Sequence, residues 1–546
     1  MRRSVLQGGN IRACCPAMKI IALVWLWLAV LPSILSAAPS PDSVAVLYNS
    51  ALPESKQLAE IYREARDIPL ENMIALDLPK TADISREEFE TTLLKPLRKQ
   101  FDFRSWWKRQ KDGNGVTLPV VNKIRVLVLM RGVPLRIKAV PQPPKPPVPE
   151  GKPQPPQDPI AGHDEASVDS ELAMFGAEGL PMDGLLQNKF YQSAKSITEV
   201  NLPFLVLTAR IDAASMATCE RMIHDAVEAE KTGLWGRAYV DIANKIPLGD
   251  QWLEGVVQAN AQAGIPTIVD RYNDTLPKNY PMTDAALYYG WYDWNVSGPF
   301  LNGSFRFRKG AVAMHLHSFS AEQLTDPNKN WSAALLERGA AVTVGNVYEP
   351  YLHLTHDFSI IQNRLLAGYT WVEACWMAMP VTSWQGVVLG DPLYRPFRHL
   401  DGSGEKQDAD IEYRALRAAM VQWGSQPQER GTQLEKAADR MKSGVIEEAV
   451  GLDFLRDGKP SEATGAFRKA RDFYRKAEDK LRQDFNLVSI DRTANRKELA
   501  VKGLRDAQFR YGPIPEADAL KGWLDILDPP PPPPADPKKI PVGQKP

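Results

Sequence analysis

The sequence predicts an α/β protein in which helices cover both faces of a mostly parallel sheet, a three-layer αβα arrangement, followed by a separate all-helical module. Three observations carry this. Short apolar, β-branched runs alternate with amphipathic helical runs through the first 400 residues. Several of those runs lack polar alternation, as strands buried on both faces do. Residues 410 to 512 then contain no strand run, are rich in Ala, Glu, Lys and Arg, and place apolar residues at helical spacing.

Taken in order, SVAVLYN (43 to 49) is the first strand, PESKQLAEIYREAR the first helix and NMIALDL the second strand. Ser85, with Glu88 three residues on, is a capping-box pair that opens a helix running towards Trp107. KIRVLVLMRGVPLRI (123 to 137) is a doubly buried strand. After a proline-rich interruption come LPFLVLTARID (strand), MATCERMIHDAVEAEKTG (helix, ended by Gly233), GRAYVDIA (strand), QWLEGVVQANAQAG (helix) and IPTIVD (strand). ALYYGWY, KGAVAMHLHSF, RGAAVTVGN and GVVLGDP supply further strands, with helical sequence near 331 to 338 and 358 to 378. In the final module, GLDFLRDGKPSEATGAFRKARDFY resembles a tetratricopeptide unit at Gly451, Phe454, Gly458, Ala463, Phe467 and Ala470. A single copy without the early Trp or closing Pro fits a helical hairpin packed on the main domain equally well.

Composition narrows the class. Of 546 residues, 66 are Lys or Arg and 66 Asp or Glu, with 44% hydrophobic and 24% charged. That is a folded protein, neither disordered nor a multi-pass membrane protein, and the absent basic surplus argues against nucleic acid as partner. The 45 prolines exceed the usual share, but ten lie between 141 and 159 and nine between 529 and 546. Such runs favour polyproline II and act as spacers. From Met18 the chain reads MKIIALVWLWLAVLPSILSAAPS: a basic residue, an apolar run too short for a bilayer span, then small residues. This is a secretory signal, and its cleavage leaves an exported chain, periplasmic or extracellular, with no transmembrane span. The boundaries are then a signal region 1–38, an α/β domain 41–400 with a proline-rich insertion at 139–160, a helical module 405–528 and a disordered tail 529–546. Cys219 and Cys375 remain after cleavage, both in amphipathic helical sequence, and are expected as buried free thiols.

In an open α/β sheet, ligands bind beyond the carboxyl ends of the strands. Residues at those ends are Asn49, Ser50, Arg131, Arg210, Asp212, Asp241, Asp270, His317, Ser318, Asn346, Glu349 and Asp391. Asp212 and Asp270 fit equally as caps of the next helix or turn, and the arginines as structural partners of the acids. In AVAMHLHSFSAE, His315 and His317 sit two apart on a strand and so share a face, with Ser318 and Ser320 opposite until the strand ends. Two imidazoles sharing a face also suit a divalent transition metal, completed by Glu349 or Asp391. ALYYGWYDWNVSG holds five aromatics between Tyr288 and Trp294, Tyr289 and Trp291 among them, which offer stacking faces for a sugar or a peptide side chain or else belong to a hairpin that buries one aromatic face. No HExxH, GxSxG, Walker A or dinucleotide glycine motif is present.

VLYNSALPES, RVLVLMRGVPLRI, ASVDSELA, LTARIDA, HLHSFSAE, TVGNVYEPYL and VVLGDPLYRPF together resemble an uncharacterised family of exported bacterial proteins, found mainly in genomes that encode exosortase, a proposed sorting transpeptidase. That resemblance implies a compartment and a link to protein sorting or the cell envelope, without a reaction. RGAAVTVGN and the late LGD segment are more distantly similar to the caspase-like, gingipain-type cysteine peptidases, in which one strand ends in His-Gly and the next in Cys. That likeness implies a caspase-like sheet, with the His-Gly position near Tyr289-Gly290 and the nucleophile strand at HLHSFS. Both dyad residues are then missing, and Cys-peptidase activity with them.

Three readings follow. The first is a non-catalytic peptide- or protein-binding accessory protein, with no cofactor, that uses the strand-end cleft and docks a partner through its helices. The second is a hydrolase with Ser318 or Ser320 as nucleophile, His317 or His315 as base and Asp391 or Glu349 as orienter. The third is a metal site on His315 and His317.

Overall fold

The computed structural model describes residues 38–141, 160, 162–180 and 184–530. The signal region, most of the proline-rich insertion and most of the tail lie outside the described residues. Among the described residues, no helix is long and apolar enough to cross a membrane.

The architecture is mixed α/β with a parallel-rich sheet and a C-terminal helical region. Ten principal strands form the sheet: β1 (Val44–Asn49), β2 (Met73–Leu76), β3 (Val126–Met130), β4 (Leu207–Ile211), β5 (Arg237–Asp241), β6 (Thr267–Asp270), β7 (Ala285–Gly290), β8 (Val312–His315), β9 (Thr343–Asn346) and β10 (Gly386–Leu389). They pair as a six-stranded set, β9-β10-β4-β3-β1-β2, and a four-stranded set, β6-β5-β7-β8. A parallel bridge between Val312 and Val342 brings the two sets edge to edge. Every pairing within the four-stranded set is parallel, whereas β9 and β10 are antiparallel. β1, β3, β4, β5, β7, β8, β9 and β10 are buried almost throughout, as unbroken apolar runs require.

Local sequence sets the helices that flank these strands. α1 (Pro53–Ala65) and α3 (Pro247–Ala263) each start with Pro in the first turn, where a missing N–H costs nothing. α2 (Met216–Thr232) is capped by Ser215 and stopped by Gly233. α4 (Phe358–Leu366) is capped by Asp357, and α5 (Trp371–Met377) by a Thr370–Glu373 capping box. Cys219 on α2 and Cys375 on α5 are free and buried.

Four local expectations change. The Ser85–Glu88 capping box forms, but the helix it opens passes through a π-turn at Phe89–Leu94 before Lys95–Phe103. Asp212 caps no helix, since Ser215 takes that place. The aromatic segment after Tyr288 is no hairpin: β7 pairs in parallel on both sides and leaves the sheet at Gly290. β8 stops at His315, so His317 and the serines after it are not on a strand and alternation does not govern them.

The helical region comprises α6 (Ile411–Trp423), α7 (Pro427–Met441), α8 (Gly444–Arg456), α9 (Pro460–Phe473), α10 (Ala477–Thr493), α11 (Lys497–Tyr511) and α12 (Asp518–Leu527). Successive helices pack against one another. Close approach of α8 and α9 depends on Gly451, where a Cβ would run into the Phe467 ring. The region is fastened to the sheet by a buried ionic network. Arg237, at the start of β5, donates to Glu448 at 3.1 Å and to the Tyr474 hydroxyl at 2.6 Å, while Arg482 reaches Glu448 through two bonds of 2.8 Å. Burial alone would push the Glu448 carboxyl up, but Arg482 and Arg237 outweigh it and hold the group far below the usual carboxylate range.

Candidate functional site

The chain leaving β7 and β8 builds a cleft of about 270 Å³. Gly290 and His315 are the last paired residues, and the Leu316 N–H closes the ladder on the Gly290 carbonyl at 2.8 Å. Gly290 has to be glycine, because a Cβ there would meet the Tyr288 hydroxyl. Beyond that rung the backbone turns, with Phe319 at φ 59°. Leu316, His317 and Ser318 therefore all line the cleft although they are neighbours in sequence. Trp291, Tyr292 and Leu352 supply further apolar wall, and Lys245, Asn346, Glu349 and Thr355 the remaining polar groups.

The two histidines part company. His315 is buried, its ring stacked on Trp331 with centroids 3.3 Å apart. Its Nε2 accepts the Asp293 N–H at 3.3 Å, which leaves the proton on Nδ1 to donate to the Tyr288 oxygen at 3.0 Å. Burial, helped by the neighbouring His317, pushes its pKa well down, so it stays neutral. With both nitrogens engaged, His315 has no lone pair to offer a metal or a substrate proton, and it does not share a cleft-facing surface with His317. Among the described residues, no group of three or more His, Cys, Asp or Glu side chains is placed to hold a metal ion.

His317 is set differently. Its ring lies between Tyr292 (centroids 4.8 Å apart) and Trp294 (5.0 Å), and neither nitrogen makes a side-chain hydrogen bond of normal geometry. Burial lowers its pKa, against the Ser318 backbone and the carboxylates of Glu349 and Asp293. Ser318 is half-buried at the cleft wall. Ser320 is buried and structural: its hydroxyl accepts the Asn346 N–H at 3.1 Å, and its carbonyl accepts the Ser332 N–H at 2.9 Å. Asn346 accepts from the Thr355 hydroxyl at 3.0 Å, and Glu349 is exposed, accepting the Tyr351 N–H at 3.0 Å.

The remaining strand-end residues fall elsewhere. Tyr289 is fully buried and donates its hydroxyl to Gln362, so it does not reach the cleft. Trp291 borders the cleft, and its indole N–H donates to Asp250 at 2.8 Å. Asp241 and Asp270 lie side by side at the ends of β5 and β6. Burial pushes the Asp270 carboxyl up to about 7, and burial together with Asp270 pushes Asp241 well up. Arg210 is buried against Asp169 at 2.7 Å, and Asp391 against Arg66 at 2.5 Å and Tyr62 at 3.0 Å. Both are internal ion pairs, so neither Arg210 nor Asp391 is available to the cleft.

Arg131 and Asp212 belong to a second cleft, of about 670 Å³, beside Glu54 and the N-terminus of α1. The segment after β8 borders both clefts, with His317 and Ser318 in the first and Glu322 to Thr325 in the second. The single convergent site expected from the strand ends is thus two sites and several buried pairs. Lys245, Leu352 and Thr355 were not singled out from sequence, although the loop position of Lys245, just past β5, would have flagged it.

No protein-family model matches the chain, and no curated protein matches it. Among solved structures, one described as "Structure of Protease" is similar, at 10% identity and a TM-score of 0.36, over 66% of this chain and 80% of that one.

Proposed function

We propose that this chain is an exported, non-catalytic accessory protein that holds a peptide or protein segment in the cleft between β7 and β9, on a caspase-like scaffold without a Cys-His dyad. The reading takes residues 41–400 as the α/β domain and 405–528 as a tetratricopeptide-like partner-docking module, and it places the protein in exosortase-linked sorting or the cell envelope. One observation carries it. At the strand end where the base of a dyad would stand, Tyr289 is buried and hydrogen-bonded, and burial raises its pKa well above the usual value, so it cannot serve as a base. The cleft surface is mostly ring and aliphatic, although polar side chains make up half of its lining residues, a make-up that supports a binding site.

The test is exposure of the mature protein to an electrophilic cysteine-peptidase probe, alongside peptide-library binding mapped by hydrogen exchange. Expected are no labelling, and peptide-dependent protection of Leu316 to Ser318 that weakens at least tenfold in Tyr292→Ala. Probe labelling, or peptide binding indifferent to Tyr292, would overturn the reading.

A second reading, a serine hydrolase, is favoured by one specific feature: His317 and Ser318 line the same cleft because β8 has already ended, with Glu349 across from them. Fluorophosphonate labelling that disappears in Ser318→Ala would establish it in place of the first. Its absence alongside intact peptide binding would dismiss it.

A further inference from the structure

β6 is the outer strand of the four-stranded set, and its free side faces a groove. The bonds from the Ala238 N–H to the Pro266 carbonyl and from the Ile242 N–H to the Asp270 carbonyl fix the phase of its parallel ladder with β5. In such a ladder alternate residues face the partner strand, so Ile268 and Asp270 bond to β5 while the N–H and C=O groups of Thr267 and Val269 point away. No other described element takes up those four groups. An open strand edge of this kind is usually blocked by a charge, a proline or a covering segment. Here α7, α8 and α10 stand over it but leave a groove of about 310 Å³.

The far wall has a definite chemistry. Leu434, Leu452 and Leu455 make it apolar, and its charges are unequal. Asp453 serves two guanidiniums at once, Arg430 at 3.2 Å and Arg456 at 2.7 Å. Arg430 is 7% exposed, and its Nε is buried without a hydrogen-bond partner. Arg271, on the β6 side of the groove, is matched by Glu254 at 2.7 Å. The groove therefore carries an uncompensated positive charge beside a row of open backbone groups.

We infer that this groove binds an extended segment of another protein, which adds to the sheet as a strand beside β6, places apolar side chains against α7 and α8, and sets a carboxylate against Arg430 and Arg456. Main-chain pairing at Thr267 and Val269 supplies affinity, and the leucines and arginines supply selectivity. The site is separate from the cleft at His317 and stands whether or not that cleft binds anything.

Random twelve-residue peptides displayed on phage, panned on the full chain and counter-panned on Val269→Pro, test this directly. Proline at 269 removes an outward amide that no rung to β5 uses, so the sheet should persist, as a melting curve matching the parent would register. Expected are acidic peptides with alternating apolar residues, bound at least tenfold more weakly by Val269→Pro and by Arg456→Glu, and slowing exchange of the Thr267 and Val269 amides. Should Val269→Pro fail to fold, the Arg456→Glu and exchange results decide alone. Peptides that bind every variant equally, protection confined to Leu316 to Ser318, or no enrichment over the counter-selection would overturn the inference.

Discussion

At the scale of single residues, the buried charges divide into those that are matched and those that are not. Glu448 is matched twice by arginines and once by Tyr474, and removing such a partner strands the rest. Glu448→Ala should cost about 3–5 kcal/mol of stability, leaving Arg237 and Arg482 buried without their anion, as a denaturant melt would measure. Asp270 behaves in the opposite sense. Its folded-state pKa of about 7 exceeds the roughly 3.9 of an unfolded Asp, so between those values the folded chain keeps a proton the unfolded chain has lost. Stability contributed by this group falls as pH rises through that window and stays lost above it. Asp270→Asn should therefore raise the melting temperature at pH 8 and leave it nearly unchanged at pH 4; equal effects at both would refute the assignment.

These residue fates were only partly legible beforehand. The sequence placed Arg210, Asp212, Asp241 and Asp391 at strand ends, and they are near strand ends. It could not tell that Asp391 turns inward to Arg66, more than 300 positions away, because ion-pair partners are set by tertiary packing alone. His315 and His317 show the same limit at shorter range. Their face-sharing assumed a strand continuing past residue 315, and one early strand end sent one imidazole into the core and the other to the cleft.

At the scale of elements, the sequence was far more informative. Apolar runs located β1 to β10, and amphipathic runs located α1 to α5 and the α8–α9 pair, since a doubly buried strand must be apolar on both faces and a packed helix needs an apolar stripe. What it missed was the antiparallel hairpin of Trp107–Lys111 with Thr117–Asn122, where no strand was expected, and the antiparallel pairing of β9 with β10, for which neither strand carries a local signature. Helix contacts were legible where a small residue faced a large one. Gly451 against Phe467 is such a place, and Gly451→Val should cost about 1–3 kcal/mol by overpacking α8 on α9. The same substitution at Gly465, with open space around its Cβ position, should be neutral or stabilise by a few tenths of a kcal/mol, roughly the helix propensity Val gains over Gly. A pair of thermal melts compares the two.

At the scale of the whole molecule, the helical region is no detachable appendage. Arg237 belongs to the sheet, Glu448 and Arg482 to the helices, and all three are buried where the regions meet. A chain ending at residue 405 would expose Arg237 together with the apolar surface that Leu481, Phe485 and Trp523 cover. It should aggregate or melt far below the parent, while co-expression of residues 405–530 in trans should restore soluble protein. A truncated chain that melted like the parent would show the contact to be incidental. Acid should loosen this junction late, because the stability Glu448 contributes is present above the ordinary carboxylate range and is lost only as pH falls well below it.

Cys219 and Cys375 give the molecule a built-in gauge. Burial raises both thiols well above their usual pKa and closes them off from solvent. A thiolate is the form that reacts, so neither sulfur can meet an oxidant or an alkylating reagent while α2 and α5 stay docked. An oxidant therefore leaves these two thiols untouched while the chain is folded. A maleimide added under native conditions would modify each cysteine only as often as its own helix opens, reading out two local unfolding rates from one unaltered protein.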